Sequence, residues 1–158
     1  MENYRLLEYK FADEIKFHIK KALPVFVNEI INFRPATEKE DTELSFDIVV
    51  GLNFTISVRI RKEKYINFKD LTIRSRNTHG QKCEIDKIKE GKAQIYFYAY
   101  MNKEEDTLIK VRLAKVDAIR KLISNKTFTK QKNLDGTEFI GIKFEDIKKV
   151  NGDIYKYN

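Results

Sequence analysis

Two neighbouring segments in which apolar and polar side chains alternate constrain the fold of this chain more than any other feature. Residues 44–50 (Leu-Ser-Phe-Asp-Ile-Val-Val) and 54–61 (Phe-Thr-Ile-Ser-Val-Arg-Ile-Arg) repeat apolar side chains at every second position. A period of two is typical of a β-strand that has one buried face and one polar face. Only Gly-Leu-Asn separates the segments, and a three-residue loop can close a hairpin. The sequence therefore predicts an antiparallel pair of strands.

The register of this hairpin follows from the rule that directly opposed residues lie on the same face of a sheet. A loop over residues 51–53 places Val50 opposite Phe54. The next pair on that face is then Ile48 opposite Ile56, so apolar side chains face each other, whereas a two-residue loop would mix apolar with polar. With the three-residue loop, the polar face collects two carboxylates and two guanidinium groups, from Glu43, Asp47, Arg59 and Arg61.

Composition narrows the class of protein. The chain has 158 residues, of which 42% are hydrophobic, and its formal net charge is +7. This length and composition suit one domain covering residues 1–158, and the basic charge favours nucleic acid or another polyanion as partner. The single cysteine, Cys83, excludes an internal disulfide and a cysteine-based zinc site. Because residues 1–21 are dense in charge and no long apolar run follows, we expect a cytoplasmic protein without membrane contact.

Periodic patterns and helix breakers predict the elements along the rest of the chain. Apolar residues recur every four positions from 7 to 23, which indicates a helix that ends near Pro24. Residues 25–33 fit either a strand or a continued helix. Residues 93–101 are apolar or aromatic on both faces, which predicts a central strand covered on both sides, and the polar tail from residue 151 is expected to fray.

The remaining predicted elements are a strand at 71–76, a helix at 84–90 ended by Gly91, a strand at 108–113, a helix at 115–123 and a strand at 139–144. This order predicts an α/β fold with a single mixed central sheet flanked by helices.

Several short motifs resemble a family of uncharacterised bacteriophage and prophage proteins. In chain order, they are Pro35-Ala36-Thr37 with Asp41 and Asp47, Val58-Arg59-Ile60-Arg61, Thr72-Ile73-Arg74-Ser75, Glu84-Ile85-Asp86-Lys87-Ile88 with Gly91, and Tyr96-Phe97-Tyr98. The order of elements is also similar to the restriction-endonuclease-like core of PD-(D/E)XK nucleases. That core has a leading helix, a strand bearing Asp, a strand bearing a (D/E)-x-K triplet, and then a helix and a strand. The resemblance implies a nuclease-like domain.

The resemblance also implies roles for the polar residues of the hairpin. In such nucleases, strand carboxylates hold a divalent metal that activates water, and the lysine stabilises charge on the scissile phosphate. Asp47 stands at the position of the motif's Asp, and Arg61 stands where the lysine is expected. Arg59 stands where the second carboxylate is expected, and a guanidinium group cannot bind Mg²⁺.

A second carboxylate would therefore have to come from elsewhere. Glu43 is the first candidate, because the predicted register places it opposite Arg61; Glu14 and Glu84 are the alternatives. The implied catalytic residues are then Asp47, Glu43 and Arg61, with Mg²⁺ as cofactor held by Asp47 and Glu43. Without a second carboxylate, the site would not be catalytic.

Basic side chains of this region are also candidate contacts for a phosphate backbone. For the arginines of the hairpin, the alternative is an ion pair with the neighbouring carboxylate on a solvated face. The arginines of the third strand extend the same surface only if that strand packs beside the second. The lysine of the short helix can instead offset the helix dipole. The candidate nucleic-acid-binding residues are Arg59, Arg61, Arg74, Arg76 and Lys87.

These patterns lead to one principal hypothesis and one alternative. The principal hypothesis is a phage-derived nucleic-acid-binding protein on a nuclease-like scaffold, acting as a Mg²⁺-dependent or a degenerate nuclease, with DNA favoured over RNA. The alternative is a non-enzymatic protein-interaction factor that inhibits a host defence system. In that case, the basic surface would contact an acidic host protein.

Overall fold

The computed structural model describes residues 5–23, 34–37, 39–40, 48–50, 54–77 and 82–158. The helices are α1 (Arg5–Lys10), α2 (Ala12–Ala22), α3 (Glu84–Glu90), α4 (Val116–Ser124) and α5 (Phe144–Lys149). The strands are β1 (Arg34–Pro35), β2 (Ile48–Val50), β3 (Phe54–Lys62), β4 (Asp70–Arg76), β5 (Ile95–Met101), β6 (Leu108–Lys115), β7 (Thr129–Lys132), β8 (Glu138–Lys143) and β9 (Asp153–Tyr157). None of the described helices is both long enough and apolar enough to cross a membrane.

Six of these strands form the main sheet, in the order β1-β2-β3-β5-β6-β9. Strand β3 runs parallel to β5, and the other neighbouring strands are antiparallel. The parallel pair needs a crossover, because a tight turn cannot join parallel strands, and the chain between them supplies β4 and α3. The prediction of an α/β fold with a mixed central sheet flanked by helices is confirmed.

The register predicted for the hairpin is confirmed where the structure describes it. Val50 is paired with Phe54 and Ile48 with Ile56, as the three-residue loop requires. Glu43 and Asp47 lie outside the described residues, so the part of the prediction that places them opposite the arginines of β3 stays a prediction.

The two faces of the main sheet carry different chemistry. One face is apolar: Ile56, Val58 and Ile60 of β3 pack in a buried cluster with Ile15 and Ile19 of α2. The opposite face carries polar side chains of β3 beside a row of tyrosines from β5, and it packs under α3, α4 and the second sheet. Every residue of β5 is buried, so the prediction of a central strand covered on both sides is confirmed.

A second, three-stranded sheet in the order β4-β8-β7 covers part of the polar face. The third predicted strand therefore forms, but it does not lie beside β3. The physical reason is that both edges of β3 are already occupied, by β2 on one side and by β5 on the other. Leu71 and Ile73 of β4 instead pack with Ile140 and Ile142 of β8 against the helices.

The prediction of a frayed tail from residue 151 is wrong. Strand β9 pairs with β6, with Tyr155 opposite Leu113 and Tyr157 opposite Val111. Ile154 and Tyr155 pack against the apolar cluster of the main sheet, and this burial holds the strand in place. Charged residues alternate irregularly with the strand-forming residues of this segment, Asp-Ile-Tyr-Lys-Tyr, so periodicity did not indicate the strand.

His18 of α2 connects the first helices to this C-terminal strand. Its side chain is 3% exposed, and its Nδ1 lies 3.2 Å from the hydroxyl of Tyr155. Burial, with a smaller effect from Lys21, lowers the pKa of His18 below its usual 6.5. The unfolded chain therefore binds more protons than the folded one between that lowered pKa and 6.5, so stability rises with pH through this window.

We expect the free energy of unfolding to fall when the pH is lowered from about 7 to about 5, and expect His18→Gln to flatten that part of the profile. Urea unfolding monitored by circular dichroism at several pH values measures both effects. An unchanged slope in the variant would assign the acid sensitivity to other groups.

Candidate functional site

A cleft of ≈1090 Å³ lies between the polar face of β3, the strands β4 and β8, and the start of α3. We call it the arginine cleft, because Arg59, Arg61 and Arg74 line it. Its described lining contains eight basic side chains, from Lys10, Arg59, Arg61, Lys62, Lys64, Arg74, Lys82 and Lys87. The same lining contains four carboxylates, from Glu8, Glu84, Glu105 and Asp135. The described wall of the cleft is therefore electropositive.

Glu84 is the carboxylate at the centre of this wall. Its Oε2 accepts a hydrogen bond from Arg59 Nη1 at 2.7 Å and one from the backbone N–H of Arg74 at 2.9 Å. Its Oε1 accepts a hydrogen bond from the hydroxyl of Tyr96. Burial and the charge of Glu84 raise the pKa of Tyr96 well above its usual value, so this hydroxyl stays a donor. Glu84 thus balances the charge of Arg59 and joins α3 to β3, β4 and β5.

The position of Glu84 is set by the local sequence. It is the first residue of α3, where the unpaired N–H groups of a helix favour a negative charge. The carboxylate of Asp86 accepts a hydrogen bond from the Cys83 backbone N–H at 3.0 Å and so caps the helix start. Gly91 ends the helix with a φ of 67°, a conformation that glycine adopts without steric cost.

The partners of Arg61 among the described residues are all neutral groups. Its Nη1 donates hydrogen bonds to Thr72 Oγ1 and, at 3.3 Å, to the hydroxyl of Tyr98. Its guanidinium carbon lies 4.1 Å from the centre of the Tyr65 ring. No carboxylate of the described residues forms an ion pair with Arg61. Its orientation is therefore fixed while its positive charge remains uncompensated within the described structure.

Arg74 projects from β4 toward the same space. Its guanidinium carbon lies 5.7 Å from the centre of the Phe139 ring, and that of Arg59 lies 5.8 Å from the same ring centre. Its Nε is buried and has no hydrogen-bond partner among the described residues. Hydrogen bonds from Thr137, and to a lesser extent the charge of Arg74, lower the pKa of Asp135, so this carboxylate lies within electrostatic range of Arg74. No ion pair joins Arg74 to a carboxylate among the described residues. The cleft therefore brings three guanidinium groups together, and among the described carboxylates of its lining only Glu84 forms an ion pair with one of them.

The other candidate residues occupy different places. Lys87 of α3 lines the cleft. Arg76 does not: it lies at the end of β4 with its side chain 70% exposed, and its Nη1 is 3.5 Å from the carboxylate of Glu138. The carboxylate of Glu14 accepts a hydrogen bond from the backbone N–H of Leu108 at 2.9 Å, and Glu14 belongs to the helix on the apolar side of the sheet.

The described part of the cleft does not fit a magnesium site. Mg²⁺ prefers several oxygen ligands in octahedral geometry, and Glu84 already accepts three hydrogen bonds from protein groups. No group of three His, Cys, Asp or Glu side chains suited to a metal occurs among the residues that the structure describes. Metal binding by Glu43 and Asp47, which lie outside those residues, stays a prediction.

Several residues of the cleft were not identified by their sequence pattern. Thr72 and Tyr98 orient Arg61, and Phe139 lies between two arginines. Thr72 and Phe139 belong to the second sheet, and nothing in strand periodicity shows how one sheet packs on another. Tyr98 belongs to the buried strand β5, where its hydroxyl reaches the cleft wall although its ring belongs to the core.

Comparisons with known proteins give a weak similarity to a solved structure. No protein-family model matches the chain, and no curated protein matches it. Among solved structures, the chain is similar to a nuclease from a fusselovirus: the sequences are 12% identical, the similarity covers 92% of this chain and 87% of that chain, and the TM-score is 0.41. At this identity and TM-score, the match transfers neither residues nor activity.

Proposed function

We propose that this protein binds nucleic acid through the arginine cleft, with Arg61 and Arg74 contacting backbone phosphates. The observation that carries the proposal is the setting of Arg61, whose guanidinium group is held by Thr72, Tyr98 and Tyr65 without a carboxylate among the described residues. Taking a cation partly out of water is unfavourable unless an opposite charge accompanies it. A phosphate in the cleft would supply that charge.

The chemistry of the two arginines suits this ligand. A guanidinium group donates two parallel hydrogen bonds to phosphate oxygens, and it loses less side-chain entropy when it is already oriented. Arg61 is oriented by its neutral partners, and Arg74 by β4 and the Phe139 ring. Arg59 contributes less, because Glu84 balances its charge. Since phosphate contacts carry no sequence information, we expect recognition that depends little on base sequence.

Replacing Arg61 tests the proposal. We expect Arg61→Ala to weaken DNA binding about tenfold and to lower the salt dependence by about one counterion, because one phosphate contact is lost. Arg61→Lys should recover part of the affinity, since it keeps the charge without the two-pronged geometry. Fluorescence anisotropy of a labelled oligonucleotide, titrated at several salt concentrations, measures affinity and salt slope together.

The matched control is Arg120→Ala. Arg120 lies on α4 in an exposed ion pair with Asp117, and it does not line the cleft, so this variant removes the same charge elsewhere. Equal weakening by Arg61→Ala and Arg120→Ala would contradict the proposal.

Cleavage of the bound nucleic acid is a further step, which the predicted metal ligand Asp47 would support. Incubating the protein with plasmid and Mg²⁺ or Mn²⁺ beside Asp47→Ala tests it separately from binding.

A further inference from the structure

The arginine cleft also contains aromatic side chains, which have no part in the phosphate contacts proposed for Arg61 and Arg74. Phe68 lines the cleft with 51% of its surface exposed, and its ring centre is 6.2 Å from that of Tyr65. Of the exposed large hydrophobic side chains in the described part of the chain, only Phe68 lines this cleft. Phe139 also lines the cleft, and the guanidinium carbons of Arg59 and Arg74 lie 5.8 Å and 5.7 Å from its ring centre. The cleft therefore combines cations with aromatic rings.

This combination distinguishes between forms of nucleic acid. Proteins that bind single strands pair a positively charged groove with aromatic rings on which bases stack, whereas the faces of bases inside a duplex are covered by their neighbours. Guanidinium planes also stack on bases, so Arg61, itself stacked on Tyr65, extends the same platform. An exposed ring in an electropositive cleft gains little from a paired duplex and much from an unpaired base.

We infer that the arginine cleft binds single-stranded nucleic acid, with an unpaired base stacked on Phe68. This inference rests on the proposed function, because it names the form of nucleic acid that the same site takes. Arg61 and Arg74 hold the phosphates, and Phe68 with Tyr65 holds the base. Recognition then depends on strandedness, since every base presents a face for stacking.

The chain contains no tryptophan, so Phe68→Trp creates a single fluorescent reporter at this position. We expect its emission to be quenched when a single strand of about 20 nucleotides is added, because a stacked base quenches the indole. Phe17→Trp is the matched control: Phe17 is also a phenylalanine with 51% exposure, but it lies on α2 and does not line the cleft. Equal quenching of both variants would overturn the inference.

Affinity gives a second measurement. We expect Phe68→Ala to weaken single-strand binding about tenfold, with a change of less than about twofold for a duplex of the same length, and expect Phe17→Ala to change neither. Unchanged single-strand binding, an equal loss for the duplex, or tighter binding of the duplex by the native protein would overturn the inference while leaving the proposed function standing. Native protein that binds neither form would overturn both.

Discussion

Glu84→Ala is expected to lower the free energy of unfolding by about 3 kcal/mol, because it removes the carboxylate that pairs with the partly buried guanidinium group of Arg59. The side chains of Arg59 and Glu84 are only 20% and 16% exposed, so water cannot replace the lost partner fully. The substitution also removes the acceptor for the Tyr96 hydroxyl and for the backbone N–H of Arg74. Urea unfolding monitored by circular dichroism measures the change.

Asp117→Ala is the matched control for this variant. Asp117 also stands in the first turn of a helix and also pairs with an arginine, but its side chain is 88% exposed. Both variants therefore lose an interaction with the helix dipole and an ion pair with an arginine. The two ion pairs differ in burial, because that of Glu84 is partly buried and that of Asp117 is exposed. A destabilisation by Glu84→Ala no larger than that by Asp117→Ala would show that the buried pair adds nothing.

A second substitution of Glu84 should act on binding in the opposite direction. Glu84→Gln removes a negative charge from the cleft wall, so a folded variant should bind DNA more tightly at low salt. Loss of stability together with gain of affinity would separate the structural role of Glu84 from a metal-binding role. A variant that is stable and binds more weakly would argue against the charge balance described for the cleft.

Gly152→Ala is the second large effect that we expect, with a loss of about 1–3 kcal/mol from overpacking. Gly152 is buried, and a Cβ atom placed on it would lie 2.4 Å from the Cβ of Ala118 and 3.1 Å from the carbonyl oxygen of Ile147. Neither atom is the end of a flexible side chain, so α4 or the turn before β9 must move. Thermal unfolding of the variant measures the loss.

Relief of the contact provides the control. Ala118→Gly removes the nearest atom, although glycine inside a helix itself costs about 1 kcal/mol relative to alanine. The stability lost in the double variant should therefore be smaller than the sum of the losses in the two single variants. The reason is that the close contact created by Gly152→Ala is absent when residue 118 is glycine. Strict additivity would mean that α4 and residue 152 do not press on each other.

The parts of the fold that could be predicted from the sequence depend on local patterns. The pairing of Ile48 with Ile56 follows from alternation and loop length, and the end of α3 at Gly91 follows from glycine's access to positive φ. The burial of the whole of β5 follows from its apolar and aromatic composition. In each case, neighbouring residues carry all the information that the prediction needs.

The site depends on contacts that are distant in sequence. Alternation shows that Arg59 and Arg61 share a polar face, but not that the face lies partly under a second sheet instead of in open solvent. Arg59 pairs with Glu84, which is 25 residues away. Thr72, which orients Arg61, belongs to the second sheet. The packing of the second sheet and α3 on the main sheet therefore decides which arginines are paired with a carboxylate and which can bind a ligand. Binding of an acidic host protein by these cations stays a prediction.

The edges of the main sheet limit how copies of the chain can associate. An unpaired edge strand offers backbone hydrogen bonds to any other strand, and proteins limit this with short edges, proline or lysine. In the described structure, one edge is β1, of two residues including Pro35, whose nitrogen has no hydrogen to donate. The other edge is β9, in which Lys156 stands between two tyrosines. Both edges therefore disfavour growth of the sheet from one molecule into the next.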